Sequence, residues 1–416
     1  MTTVSHRLGI LFPGLGAVSS TLITGVLAAR QGLVDAIGSL TETGHLDGPP
    51  IRDVLPIASF DDLVFGGWDP YPVTALDAAR RSRVVEDSLL DKVAAELIEI
   101  RAMPAVFDAS WVPALADATH VKSGANHLER AEQLREDIRA FKRDNHLDRV
   151  VSVWTASTEA YREPGPAHQD LAAFERALAE DDPSIAPSQV YAWALLREGV
   201  PVANGSPNLM FDFPAMRQLA AETGVAISGR DFKTGQTLMK TTVAPMLASR
   251  LLGVHGWFST NILGNMDGQV LDNEENFRSK EVTKAGVLES ILDVDNHPEL
   301  WGDIEHIVKI NYYRPKGDDK EGWDNIDLFG WLGYPMQIKI DFQCRDSVLA
   351  APVALDLARL MDVAAADGQS GPIDWLGFFY KEPMTLTAGE RPVHHLFEQE
   401  RILFDALRKL GAQQPV

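Results

Sequence analysis

The chain has 416 residues, 45% of them hydrophobic, enough to build two domains with sizeable cores. Its formal net charge of −21 and pI of about 4.9 argue against a nucleic-acid or anionic-membrane partner, since either calls for a basic surface. Any anionic substrate must therefore be met by a local cluster of Lys and Arg inside an acidic shell.

Cys344 is the only cysteine, which excludes an intramolecular disulfide and a cysteine zinc site. Near the start, one Arg precedes an apolar run that Pro13, Gly14 and Gly16 interrupt, too short for the apolar core of a secretory signal. No stretch of about 18 apolar residues occurs that could span a bilayer. A cytoplasmic protein is expected.

Residues 7–12 read as a buried strand, Pro13 to Ser20 as a tight turn and residues 21–30 as a helix. Strand, glycine-rich turn and helix form a dinucleotide-binding start, in which glycines let the backbone approach a pyrophosphate at the helix N-terminus. The pattern Gly14-x-Gly16-x-x-Ser19 carries Ser where a third Gly is usual. No acidic residue ends the next apolar stretch, residues 36–40, where a ribose-binding carboxylate is often found. A plain βα turn without a ligand fits this stretch equally well.

Residues 63–65 form a short apolar run that stops at Gly66-Gly67-Trp68-Asp69, and a helix is expected over residues 73–100. Asp69 then stands at the C-terminal end of a strand, where open α/β sheets bind ligands, or serves as the cap of the next helix. Residues 127–144 form an amphipathic surface helix. A strand over 149–155 ends in the hydroxyl cluster Ala156-Ser157-Thr158-Glu159, a loop with a short helix covers 162–187, and further strands cover 199–203 and 225–227. The last runs into SGRDFKTGQT, residues 228–237, ahead of a helix over 238–252. Glycines, hydroxyls and a helix N-terminus at one place suit a phosphate cradle; a capped turn with a solvated Lys233 is the plain alternative.

Next comes NILGNMDGQVLDNEENFRSKEVTK, residues 261–284. Asn261, Gly264, Asn265, Asp267 and Gly268 read as a polar turn, followed by a helix with an acid-rich start. Lys280 and Lys284 stand four apart and share one helix face. Such a pair is useful when an anion sits against it and is otherwise a solvated surface. Beyond it, residues 306–313 and 336–344 alternate with period two, which predicts half-buried strands of a mixed or antiparallel sheet. Asp346-Ser347 then caps a long apolar helix over 348–363. The pattern predicts an α/β fold, a doubly wound parallel sheet interrupted by a β-rich insertion.

GLGAVSSTLITGV, FGGWD, VWTASTE, SGRDFKTGQT with LGNMDG and FRSKEVTK, CRDSVLAAPVALDL and WLGFFYKEP occur in that order between Gly14 and Lys381. Together they resemble the myo-inositol-1-phosphate synthase family. The resemblance implies a Rossmann-type domain built from both chain ends, residues 1–237 and 350–416. Around it sits an inserted α+β catalytic and tetramerisation domain, residues 238–349, in a homotetramer. It implies conversion of D-glucose 6-phosphate to 1L-myo-inositol 1-phosphate with recycled NAD, and leaves a monovalent or divalent cation open.

Carried over by motif, Lys280 and Lys381 flank the reacting oxygen, with Lys280 also stabilising the enolate. Lys284 with Thr234, Gly235, Gln236 and Thr237 holds the phosphate. Asp231, Asp267 and Asp346 orient lysines or the nicotinamide end. Gly14, Gly16, Ala17, Val18, Ser19, Ser20, Asp69, Ser157, Asn265 and Asp267 lie along NAD. Two departures stand out. The family's asparagine-rich NAD loop is here Ala17-Val18-Ser19-Ser20, and ungapped counting back from the Pro315–Lys320 loop puts Asn311 where the family has a lysine. Lys309, two residues earlier on the same strand face, is the expected substitute. A cyclase of the same scaffold acting on fructose 6-phosphate, a sugar dehydrogenase with net NADH production and an inactive NAD-binding regulator are the rival readings.

Overall fold

The computed structural model describes residues 6–265, 268–269 and 287–413. Eleven strands are present among them: β1 (Leu8–Pro13), β2 (Leu63–Asp69), β3 (Met103–Pro104), β4 (Arg149–Trp154), β5 (Val202–Asn204), β6 (Ala226–Gly229), β7 (Gly253–Leu263), β8 (Glu305–Tyr312), β9 (Asp319–Phe329), β10 (Pro335–Arg345) and β11 (Gly371–Pro372). Seven form a parallel sheet in the order β11-β6-β5-β4-β1-β2-β3. This is the doubly wound arrangement, and strand order reverses between β1 and β4, where such sheets take a dinucleotide. The other four form a separate mixed sheet in the order β10-β9-β7-β8.

Every residue of β1 is buried, as a strand covered on both faces requires. One face packs with α1 (Ala17–Arg30) through Ile10, Phe12 and Leu22. The other carries Leu11, Trp68 and Val150. The element after β2 is two helices, α2 (Ala75–Ser82) and α3 (Asp87–Leu97), not the single one expected over 73–100. Arg83 in the left-handed region ends α2, and Thr74 with Asp77 forms the capping box that starts it, so Asp69 is not a cap.

On the second face lie α4 (His127–Asp144) and α5 (Pro187–Arg197). The helix α6 (Gly235–Ser249) begins three residues before its expected start and covers one face of the mixed sheet through Ala244 and Leu247. The helix α7 (Asp346–Ala366) returns the chain to the parallel sheet and packs on α1, β4, β5 and β6. Asp346 is its first helical residue, with Arg345 at the cap position, so the expected Asp346 cap is not formed. A C-terminal helix, α8 (Leu396–Ala412), closes the first core through Leu403, Leu407 and Leu410.

Two further expectations change. The second parallel strand runs through Gly66 and Gly67 to Asp69, because a Cβ at Gly67 would lie 2.4 Å from Phe12 O and one at Gly66 2.7 Å from Phe141 Cε2. These glycines permit close strand and helix packing and do not form a turn. Asn261, read as the start of a polar turn, lies inside β7.

Candidate functional site

A cavity of about 560 Å³ opens over the C-terminal ends of β1, β2 and β4 and extends to the loops around α6 and α7. Its floor is the turn after β1. Gly14 has φ +90°, and a Cβ there would come within 2.5 Å of Ala156 Cα, so the turn packs directly on the end of β4. The turn is fixed by Gly14 and Leu15 N–H groups donating to Trp68 O at 2.9 and 3.2 Å. Thr155 donates its hydroxyl to Gly14 O at 2.8 Å.

Gly14, Gly16, Ala17 and Val18 line the cavity, as does Ser157. Ser19 and Ser20, also expected along the cofactor, are fully buried and not in the lining. Their hydroxyls donate inside the turn, Ser19 to Gly14 O at 2.9 Å and Ser20 to Ala17 O at 3.3 Å. They brace the turn from within.

Asp69 ends β2 and faces the same space. It stands at the end of the second parallel strand, the kind of position where a ribose-binding carboxylate was expected at residues 36–40. Its Oδ1 accepts from Tyr71 N–H at 3.0 Å. Burial pushes its carboxyl up to about 6, opposed by that hydrogen bond. Val106, Phe107, Val112 and Leu115 add an apolar slot at this end, the shape and polarity a purine ring takes. Behind it Tyr191 meets Trp68 and Trp154 edge-on, both at 5.4 Å between ring centroids. The glycine turn, the helix N-terminus, Asp69 and the slot fit a nicotinamide dinucleotide.

At the opposite end, residues 229–233 and 379–384 run antiparallel, with Lys381 N–H donating to Asp231 O at 2.7 Å and Lys233 N–H to Phe379 O at 2.8 Å. This short ladder places Lys381 Nζ 2.7 Å from Asp231 Oδ1, across 150 residues of sequence. Both residues line the cavity and are buried, and Asp231 Oδ2 has no hydrogen-bond partner among the described residues. Lys233 is turned away: its ammonium donates to Gln399 and lies 5.4 Å from the Phe378 ring centroid. Burial pushes it down to about 7, so it is neither solvated nor part of a phosphate cradle.

Thr234, Asn265 and Asp346 complete this end of the lining. Asp346 takes an ion pair from Lys320 at 3.3 Å and a hydrogen bond from Thr234 Oγ1 at 3.4 Å. Sequence reasoning passed over Asp318, which joins three segments. It accepts from Asn265 Nδ2 at 2.8 Å and from Ser347 N–H and Oγ at 3.0 Å each, and so does the capping work expected of Asp346. It passed over Glu159 as well, a lining carboxylate that Ser188 holds through N–H and Oγ and that burial pushes up to about 7.

Gly235, Gln236 and Thr237 open α6 but are not in the lining. The Gln236 side chain donates to Thr260 O at 2.9 Å and Trp323 O at 3.1 Å, which braces the mixed sheet. Asp267, Lys280 and Lys284 lie outside the described residues. Lys309 is exposed and outside the lining. It and Asn311 pair in register with Thr260 and Ile262, while Ser259, Asn261 and Gly322 face α6. Alternation therefore projects both residues from the sheet face opposite α6, and Asn311 Nδ2 donates there to Thr260 Oγ1 at 3.0 Å. The expected substitution of Lys309 for the family lysine is not met by this placement.

Among the described residues no helix is long and apolar enough to cross a membrane, and no group of three His, Cys, Asp or Glu is arranged to hold a metal ion.

A family model described as myo-inositol-1-phosphate synthase matches residues 8–408. The inositol-3-phosphate synthase 1 of Bacteroides thetaiotaomicron is 48% identical over 417 residues, covering 98% of this chain and 97% of that protein. The inositol-3-phosphate synthase of Saccharomyces cerevisiae is 31% identical over 459 residues, covering 97% and 85%. Among solved structures, the inositol-3-phosphate synthase of Caenorhabditis elegans superposes with a TM-score of 0.91 at 28% identity, covering 98% of this chain and 86% of that one. A match that runs from β1 to α8, over a doubly wound sheet with this cavity at its switch point, leads to one assignment: the chain belongs to the myo-inositol-1-phosphate synthase family.

Proposed function

We propose that this enzyme converts D-glucose 6-phosphate to 1L-myo-inositol 1-phosphate, by oxidation at C5, enolisation at C6, aldol closure onto C1 and reduction. The observation that carries the reading is the buried Lys381–Asp231 pair, placed in one cavity with the dinucleotide-type turn of Gly14 and Gly16. Gly14, Gly16, Asp69 and Ser157 would hold NAD, which would supply the redox chemistry at C5 with no net oxidation.

The chain's own groups do the rest. Lys381 donates to the C5 oxygen and stabilises the negative charge that develops there, an effect that is large in a site closed to water. Asp231 holds the Lys381 ammonium in place, and its second oxygen accepts from a substrate hydroxyl. Lys280 assists at the enolate, and Asp267 and Asp346 orient neighbouring ammonium groups. Lys284 and the start of α6 from Thr234 hold the phosphate. Residues 1–237 with 350–416 carry the dinucleotide, residues 238–349 bring the substrate groups, and the enzyme works in the cytoplasm as a homotetramer.

The test is product analysis by phosphorus and proton NMR after incubation with NAD and either glucose 6-phosphate or fructose 6-phosphate. The reading expects a cyclitol phosphate from glucose 6-phosphate alone and no growth of the NADH absorbance. A product from fructose 6-phosphate only, or stoichiometric NADH, would replace it with one of the rival activities.

A further inference from the structure

We propose that Arg83 binds the pyrophosphate of the dinucleotide, as the cation that the β1 turn itself lacks. The proposal rests on the reading of the cavity as a dinucleotide site and names a residue that the sequence reading did not assign. A dinucleotide pyrophosphate carries two negative charges, and the β1 turn offers them few partners. Ala17 and Val18 have no polar side-chain atom, and the Ser19 and Ser20 hydroxyls donate to carbonyls inside the turn. What remains is the N-terminus of α1, whose first turn holds no acidic residue and whose Gly16 gives no side-chain cap. Among the described residues that line the cavity, the cations are Arg81, Arg83 and Lys381. Lys381 is at the far end and held by Asp231. Arg81 belongs to the Asp69 corner: its guanidinium lies 5.5 Å from the Tyr71 ring centroid, and Tyr71 N–H donates to Asp69. Arg83 is left for the pyrophosphate.

The fold fixes where this residue stands. The helix α2 packs on α1 and leads from the Asp69 end of the cavity to Arg83. The next residue, Val84, is 1% exposed, and its carbonyl accepts from Arg345 Nη1 at 2.6 Å. Arg345 is the cap residue of α7, whose Ser347 and Ala350 also line the cavity. Arg83 is thereby held where the starts of α1 and α7 meet around one space. Its φ of +55° lies in the left-handed region, where glycine is the usual residue at a helix end. An arginine there gives a less stable turn than glycine would, a feature that clusters at ligand clamps. The neighbouring guanidinium groups are engaged, Arg80 with Asp91 and Arg345 with Glu86. The Arg83 side chain makes no ion pair or hydrogen bond among the described residues, although the chain carries a net charge of −21. A cation at a strained position, lining the cavity and unengaged by its own acidic chain, fits a phosphate-binding role.

The experiment measures Kd by calorimetry for NAD, ADP-ribose and adenosine, on enzyme without substrate. Arg83→Gly suits the left-handed backbone and so removes the guanidinium without disturbing the turn. Arg80→Ala, one turn away and outside the lining, is the charge control. Loss of charge-assisted hydrogen bonds to phosphate should raise the Kd of NAD and of ADP-ribose roughly 10- to 150-fold in Arg83→Gly. Adenosine, which carries no phosphate, should bind within about twofold of its Kd for unaltered enzyme. Arg83→Lys keeps the charge and should bind NAD more tightly than Arg83→Gly, and Arg80→Ala should match unaltered enzyme. An NAD Kd within twofold of unaltered enzyme in Arg83→Gly overturns the proposal. So does an equal weakening of adenosine and ADP-ribose, because Arg83 would then act on the adenosine end or on the fold. If Arg83→Gly melts below unaltered enzyme, Arg83→Asn, which also tolerates positive φ, carries the same comparison. Unaltered enzyme that binds no NAD would refute the dinucleotide reading of the cavity. NAD binding that Arg83→Gly leaves unmoved refutes the role of Arg83 alone.

Discussion

Asp231 and Lys381 are 4% and 8% exposed, and their charged atoms are 2.7 Å apart. Removing one partner of such a pair leaves the other charge desolvated, a loss of ~3–5 kcal/mol, whereas replacing both by uncharged groups of similar size is far less costly. Asp231 has φ +61°, a region that Asn tolerates and most residues do not, so Asp231→Asn removes the charge without straining the turn. Lys381→Met removes the ammonium and keeps the length of the side chain. Each single variant should lose ~3 kcal/mol or more in urea unfolding followed by tryptophan fluorescence, without NAD or substrate. The double variant should lose ~1–3 kcal/mol less than the sum. Losses that add to within ~0.5 kcal/mol would show that the two side chains are not coupled and would refute the account of Lys381 as held by Asp231. All three variants should be inactive.

Other consequences follow from single positions. Gly14→Ala puts a methyl group 2.5 Å from Ala156 Cα at φ +90°, so NAD affinity, read by fluorescence titration, should fall ~10-fold or more; an unchanged Kd contradicts the placement of the turn. Lys309→Ala should keep its turnover, because residue 309 projects away from α6; loss of cyclisation with normal NAD titration would restore it to the site. Burial lowers Lys233 from 10.5 to about 7, so between those values the folded chain binds fewer protons than the unfolded chain and stability rises with pH. The cost of the buried charge is fully present below pH 7. Lys233→Met should flatten that rise in melting temperature, and an unchanged slope would mean that Lys233 is not buried as an ammonium.

Five strands of the parallel sheet, β1, β2, β4, β5 and β6, were legible because they are apolar runs followed by polar turns, and the β1 turn and Asp69 were found at the correct strand ends; β3 and β11, two residues each, carry no such pattern and were missed. The limits of β2 were not, because Gly66 and Gly67 serve strand packing against Phe12 and Phe141, which only the fold reveals. Two strands of the mixed sheet, β7 and β9, were missed. In β9 the buried positions Gly322, Asp324, Ile326 and Leu328 alternate properly, but Asp324 reads as exposed until its acceptance from Trp257 Nε1 at 2.9 Å is seen. Lys381 and Asp231 were named from motifs, yet their pairing depends on a backbone ladder between segments 150 residues apart. The placement of Lys309 and Asn311 needed the register of β7 with its two neighbours. Spacing along β8 alone puts Lys309 and Asn311 on one face but does not say which face meets α6.

The central claim is that a hydride leaves C5 and returns to the same molecule. Glucose 6-phosphate carrying deuterium at C5, turned over with unlabelled NAD, tests it most directly. The account predicts cyclitol phosphate that retains the deuterium at the carbon derived from C5, with no NADH accumulating. Product in which that deuterium has been replaced by solvent hydrogen, or deuterium collecting in reduced cofactor, would contradict it.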